Sequence, residues 1–330
     1  MAIPLNQSNY YNAAHDEAAV LKQPWNRGLI RLSGPERISW LQGMVTNDVE
    51  KLVPGQGAYA AHLNAQGKLV AQMKILVDTE VVWLATEASN VKRLVEVLDR
   101  MIVMEDVQCE DHSGNVEPIA VIGPKSALIL ESWLGEPLNL GAEYDHRDHP
   151  KCRRIVRDEL GYTIWADASN ADAVLDGLIA AGATSIDEAT WNVLRTEAGM
   201  PIYGTDIDDS TTLPELGEKG IRYDKGCYIG QEVVARIKYI GHVNRRFMGF
   251  VCDGESVPAP GSVVRSGGKD AGYITSGVVS PKLGKAIALG FVSRLAAVSG
   301  TPVELVSGEL KRTASVSELP FIPSATWSED

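Results

Sequence analysis

The stretch Lys225-Gly226-Cys227-Tyr228-Ile229-Gly230-Gln231-Glu232 runs on into Val233-Val234-Ala235-Arg236 and sets a cysteine between two glycines. Glycine tolerates positive φ and lets another backbone or a ligand approach closely. A helix-forming run follows at once, so Cys227 stands in a turn at the positive end of a helix, with Lys225 two residues away. Both features favour a thiolate. Arg222, Lys225, Arg236, Lys238, Arg245 and Arg246 are met over 222–246 by only Asp224 and Glu232, a basic patch in a chain of net charge −12. The competing reading is a glycine-rich turn around a buried structural cysteine. A Cys227–His242 dyad is within reach along the chain, but a short separation does not fix orientation. Asp145, His146, Asp148 and His149 could be drawn as a metal site; they do not match zinc-ligand spacing, and a solvated polar loop explains them. No Gly-x-Ser-x-Gly elbow, Walker loop or His-Glu-x-x-His is present.

The elements that position these residues follow from pattern. A chain of 330 residues implies two or three domains. With 45% hydrophobic and 22% charged residues it is neither disordered nor fibrous. The acidic balance argues against general nucleic-acid coating. The N-terminal residues form no secretory signal, and no apolar run has the length of a membrane span. Cys109, Cys152, Cys227 and Cys252 lie far apart with no Cys-x-x-Cys, which fits a reducing cytoplasm rather than a disulfide framework, zinc ribbon or four-thiolate cluster.

Residues 1 to about 26 read as an irregular polar arm. Gly28–Leu32 reads as a strand, and Pro35 opens a helix with Ile38, Leu41 and Val45 at helical spacing. Gly57 to Thr86 gives three strands broken at 64–67 and 78–80. Ser89 is placed to cap the helix after them. Strand, helix, two hairpin strands, helix, strand is the order of a ferredoxin-like unit. A strand near 116–122 and helices near 124–134 and 170–181 suggest a second, with 139–151 as loop. Ser185-Ile186-Asp187-Glu188 reads as a capping box for a helix to Glu197, stopped by Gly199 and Pro201. Gly241–Arg246 reads as a linker. Short β-rich runs at 247–252, 262–264, 272–279, 286–291, 302–306 and 311–316 then predict a small antiparallel barrel, with 321–330 a polar tail.

Three blocks carry a resemblance. Lys-Gly-Cys-Tyr-x-Gly-Gln-Glu at 225–232 resembles the motif of YgfZ-type proteins, folate-binding relatives of the glycine-cleavage T-protein. Trp40-Leu41-Gln42-Gly43 with Thr46-Asn47-Asp48 is similar to the family's first block. Arg195-Thr196-Glu197-Ala198-Gly199 with Tyr203-Gly204-Thr205-Asp206 is similar to the T-protein block whose glutamate holds the pterin ring. That role suits a buried carboxylate, which can accept two parallel N–H bonds from a 2-amino-pyrimidinone edge. The plain alternative is that Arg195 and Glu197 are solvated charges on a helix end.

The resemblance implies an α+β protein: a folate-binding region over 1–245, built from two ferredoxin-like subdomains around a folate channel, and a C-terminal antiparallel β-barrel over 246–330. It implies tetrahydrofolate or a one-carbon derivative as cofactor. Cys227 would be the reactive group, Glu197 the pterin anchor, and Arg195, Tyr203, Lys225 and Arg236 further binding residues. No metal site, membrane or direct nucleic-acid partner is expected. The YgfZ branch implies an accessory role for iron–sulfur enzymes or their assembly proteins, affecting tRNA modification indirectly. T-proteins carry Asn-x-x-Gly-Gly-x-x-Asp-Asp; the matching run, Asn64 to Gln72, ends in Ala71 and Gln72. Neither is a general base. An aminomethyltransferase and a direct tRNA-binding module are the alternatives, the first opposed by Ala71 and Gln72.

Overall fold

A computed structural model describes residues 5–23 and 26–323. Within them the chain forms two compact units, neither a single run of sequence. One comprises residues 13–185 and 218–235; the other comprises residues up to 12, 186–217 and from 236 onward.

The larger unit contains two antiparallel-rich sheets. In the first, β2 (Gly28–Ser33), β3 (Gly57–Leu63), β4 (Leu69–Val77), β5 (Val81–Thr86) and β6 (Gln108–Asp111) lie in the order β3-β4-β5-β2-β6. Without its edge strand β3 this is the ferredoxin-like order. The helices α2 (Arg37–Gln42) and α3 (Val91–Asp99) lie along the chain where the pattern requires. β4 alternates as a sheet strand must: Ala71, Met73 and Ile75 enter the core with Leu32, Leu41, Leu94 and Leu98, while Gln72 and Lys74 take the other face. The expected helix from Pro35 is confined to six residues. α3 is entered through a 3-10 turn at Ala88–Asn90 rather than capped by Ser89, and its N-cap Asn90 makes no side-chain cap.

The second sheet joins β1 (Ala19–Lys22), β7 (Val116–Ile122), β8 (His146–His149), β9 (Cys152–Asp158), β10 (Gly161–Asp167) and β11 (Thr184–Ser185) in the order β11-β1-β7-β10-β9-β8. The helices α4 (Ser126–Leu134) and α5 (Ala171–Ala180) cover its core of Ile119, Val121, Ile155, Ile164, Val174 and Leu178. The strand β1 corrects the expectation of an irregular arm. Leu5–Asp16 is a helix, α1, and Ala19–Lys22 is β1, seated between β7 (antiparallel) and β11 (parallel). Ala19 and Val20 are fully buried, so a run of four residues earns its place by tertiary packing rather than local pattern. The expected loop at 139–151 likewise contains the edge strand β8. Leu29, Leu76, Trp83, Val116, Val156 and Trp165 form a further apolar cluster drawn from both sheets.

In the other unit, β12 (Arg245–Cys252), β13 (Val263–Ser266), β14 (Lys269–Ser280), β15 (Lys285–Ser293), β16 (Pro302–Ser307) and β17 (Leu310–Ser317) close into a six-stranded antiparallel barrel, order β12-β15-β14-β13-β16-β17. Phe250, Val264, Ile274, Ala288, Leu305 and Val316 fill it. α6 (Glu188–Glu197) packs on β14 and β15, and the short α7 (Leu213–Leu216) on β12. The cap of α6 is Asp187, whose carboxylate accepts from Thr190 N at 2.8 Å; Ser185 belongs to β11 instead. The tail expected from 321 does not start there, because Ile322 is buried and Phe321 N donates to Glu197 O at 2.8 Å; residues 324–330 lie outside the described residues. Among the described residues no helix is long and apolar enough to cross a membrane.

Candidate functional site

The candidate residues fall into two groups, one in each unit. In the barrel unit, α6 brings Arg195, Thr196 and Glu197 under full cover, which removes the reading of solvated charges on a helix end. Arg195 spreads its guanidinium over four acceptors: Asp206 Oδ2 at 2.8 Å, Ser276 Oγ at 2.9 Å, Asn192 Oδ1 at 2.7 Å and Met200 O at 3.1 Å. Asp206 accepts in addition from Thr275 Oγ1 (2.6 Å), Ser276 Oγ (2.5 Å) and Ile202 N (3.0 Å). Two consecutive strand residues would ordinarily point to opposite faces. Here the register of β14 against β15 shifts between Ile274 and Ser276, and this bulge lets Thr275 and Ser276 reach the same carboxylate. Arg195 and Asp206 thus clasp the 200–206 loop to α6 and the barrel wall. Tyr203 lies in that loop, bridged to Ile207, and Gly199 has φ +71° with Leu319 against it.

Glu197 is wholly buried. Tyr11 Oη donates to its two carboxylate oxygens at 2.8 and 3.0 Å, and Ser280 Oγ, at the end of β14, donates to Oε1. Burial, then the charge of Glu197, pushes the Tyr11 phenol far above its ordinary range, so it stays a neutral donor. The Tyr11 and Ser280 hydroxyls are neutral donors, which two N–H groups of a 2-amino-pyrimidinone edge could replace one for one. The donor chemistry around Glu197 therefore fits a pterin. Tyr11 and Ser280 escaped the sequence reading, since nothing in an apparent polar arm or a strand end marks a partner for residue 197.

In the larger unit, Lys225 places its ammonium among three backbone carbonyls, Gln42 O (2.6 Å), Val45 O (2.8 Å) and Asn47 O (2.8 Å), and over the Tyr228 ring at 5.2 Å. Its surroundings lower the ammonium to about 8 through burial. Ile229 N donates to Gly43 O and Arg222 N to Thr46 O, so the cysteine turn is docked along the 42–47 segment. Gly230 has φ +84°, and a Cβ there would stand 2.7 Å from Asn64 O. Gly226 needs neither property: a Cβ on it would meet open space. Only one of the two bracketing glycines is thus structurally required. α8 (Gln231–Tyr239) follows, with Glu232 in its first turn and Arg236 and Lys238 in its last, as the helix dipole favours.

Cys227 is the exposed cysteine, which removes the buried-structural reading. Cys152 and Cys252 are buried and Cys109 is partly buried, and burial raises their thiols: Cys109 and Cys152 to about 12, Cys252 to about 11. The 145–149 cluster is dispersed among protein partners. His146 Nε2 lies 3.3 Å from Asp78 Oδ1, His149 Nε2 3.5 Å from Glu136 Oε1, and Asp148 pairs with Arg154, while Asp145 accepts from Gly141 N and Ala142 N. Ala71 is buried in the core; Gln72 bonds to Tyr59 and Glu87.

Residues 13–221 match the GCVT N-terminal domain, and residues 245–322 match the glycine cleavage T-protein C-terminal barrel domain. The chain is 31% identical over 316 residues to an aminomethyltransferase of Rippkaea orientalis, covering 90% of this chain and 84% of the relative. It is 31% identical over 317 residues to an aminomethyltransferase of Nostoc sp., covering 90% and 83%. The solved aminomethyltransferase T of the Bartonella henselae glycine cleavage system shares the fold at a TM-score of 0.87 and 21% identity, over 98% of this chain and 91% of that one.

Proposed function

This chain belongs to the glycine cleavage T-protein family, and on that premise we propose that it binds tetrahydrofolate or a one-carbon derivative without transferring aminomethyl groups. The observation that carries this reading is at β4. The strand's alternation buries Ala71 in the core and leaves an uncharged amide, Gln72, as the side chain on the opposite face. Neither can take a proton as an aspartate does. Glu197 would hold the pterin, and the folate supplies a one-carbon unit when bound. Arg195, through its clasp on Asp206, holds the loop that carries Tyr203. Lys225 anchors the turn that presents Cys227, and Arg236, in the last turn of α8, would serve as a further binding residue. The accessible thiol of Cys227, set against the buried Cys152 and Cys252 and the partly buried Cys109, supports an accessory role toward iron–sulfur enzymes, with Cys227 as the reacting group.

A second reading is aminomethyl transfer itself. The names of the relatives support it more directly than the accessory role, since the matched relatives given above are aminomethyltransferases. Calorimetric titration with tetrahydrofolate tests the common part. Wild type should bind, and Glu197→Ala should weaken binding by about 1.5–3 kcal/mol, the value of a charge-assisted hydrogen bond. An assay of methylene transfer from an aminomethyl donor separates the two readings: brisk turnover would establish the second. Loss of iron–sulfur enzyme activity in cells complemented with Cys227→Ser, beside full rescue by the other three Cys→Ser variants, would support the accessory role.

A further inference from the structure

At one end of the second sheet, the β8–β9 hairpin tip, the last residue of β10 and the approach to α5 line a surface cavity of ≈ 440 Å³. Small-molecule sites typically span about 300–1,000 Å³. The register of β8 against β9 shifts between Asp148 and His149, and this bulge re-aims the side chains of the hairpin tip. Lys151 N donates to His149 Nδ1 at 3.1 Å, which closes the turn around Pro150. Two cations and two carboxylates line the cavity: Lys151, Arg153, Asp148 and Asp167. Asp148 is already neutralised, since Arg154 Nε donates to it at 2.8 Å. Among the described residues the other three make no ion pair. The Arg153 guanidinium lies 5.0 Å from the centre of the Trp83 ring. The Lys151 ammonium donates to Trp133 O and lies 5.8 Å from the centre of that ring. These contacts steady both side chains and leave their charges without a counter-ion.

We propose that this cavity binds an acidic α-amino acid, with its α-carboxylate on Arg153, its side-chain carboxylate on Lys151 and its ammonium on Asp167. The charge balance carries the choice. Two uncompensated cations and one uncompensated carboxylate are complemented by two carboxylates and one ammonium. A guanidinium can take a carboxylate through two parallel N–H bonds, and an ammonium such as that of Lys151 binds one as a point charge. A neutral ligand would leave all three charges unanswered, and inorganic phosphate would meet the repulsion of Asp167. Cys152, in the cavity wall, takes no part, because burial keeps its thiol protonated. The site lies wholly in the larger unit and uses none of the residues assigned to folate, so it stands or falls apart from that reading.

Calorimetric titration of the full chain at neutral pH tests this with three probes of similar shape: L-glutamate, glutarate, which lacks the ammonium, and L-glutamine, which lacks the second carboxylate. Wild type should bind L-glutamate more tightly than either of the others by about three- to fivefold, the level of a well-formed exposed ion pair. Arg153→Gln should weaken all three by about tenfold or more, the loss of a charge-assisted hydrogen bond. Asp167→Asn should erase the preference over glutarate and keep that over L-glutamine. Lys151→Gln should do the reverse. Each preference is a ratio within one variant, so a general loss of stability does not mimic it. Absence of saturable L-glutamate binding, equal affinities for the three probes in wild type, unchanged affinities in Arg153→Gln, or preferences that survive Asp167→Asn and Lys151→Gln would each overturn the inference.

Discussion

Replacing Arg195 by methionine should cost the protein much of its margin of stability. Its side chain is 4% exposed and that of Asp206 is wholly covered. Methionine fills a similar volume but leaves the Asp206 carboxylate without its cation. Thr275, Ser276 and Ile202 N remain as neutral donors, so the carboxylate keeps hydrogen bonds and loses charge compensation. Breaking a buried pair from one side costs about 3–5 kcal/mol. At roughly 2–4 °C per kcal/mol for domains of this size, the melting temperature should fall by about 6–20 °C. Thermal and urea unfolding followed by circular dichroism measure this. The double variant Arg195→Met/Asp206→Leu should recover part of the loss, because both buried charges are then gone. A single-variant cost below about 1 kcal/mol, the level of an exposed ion pair, would refute the argument.

Three other outcomes follow from the same structure. A maleimide reagent should label Cys227 first in the native protein and reach the buried Cys152 and Cys252 only on unfolding; mass spectrometry after digestion reads the order, and early labelling of Cys152 would contradict it. Gly230→Ala should destabilise by about 1–3 kcal/mol, since it combines positive φ with a backbone clash, whereas Gly226→Ala should be tolerated. Burial works to raise the Asp78 carboxyl, but the His146 hydrogen bond and the Arg154 guanidinium prevail and hold it at about 2. Its pKa is lower in the fold than in the unfolded chain, so its stabilisation is present above about pH 4 and is lost as pH falls toward 2, about 2 kcal/mol in all. Asp78→Asn should lack that acid limb in a pH series of urea unfolding.

The parts of the fold written in local pattern were legible. Each barrel strand is a short β-rich run between glycine-bearing turns, and all six lie within a few residues of expectation because that composition is local, even where pairing is remote, as for β12 with β15 and β17. β1 and β8 were not legible: a four-residue strand carries no periodicity of its own, and the partners of β1 also lie far along the chain. The same division governs the site. Cys227 and Glu197 stand out as motif residues, but their surroundings come from remote parts of the chain, the Tyr11 and Ser280 hydroxyls in the case of Glu197. Gln42, Val45 and Asn47 serve Lys225 through carbonyl oxygens that any residue would supply.

The position of β1 bears on how the protein is made. β1 leaves the ribosome before either of its partners, and its parallel neighbour Thr184–Ser185 appears only after the whole first sheet has been synthesised. At about 5–20 residues per second, the nascent segment waits on the order of ten seconds or more for that neighbour. During that interval an apolar edge lacks its mate, a contact of very high sequence separation of the kind that slows folding. The second sheet is thus a late event of biogenesis whose completion is set by translation, and the first-made strand is among the last to be locked.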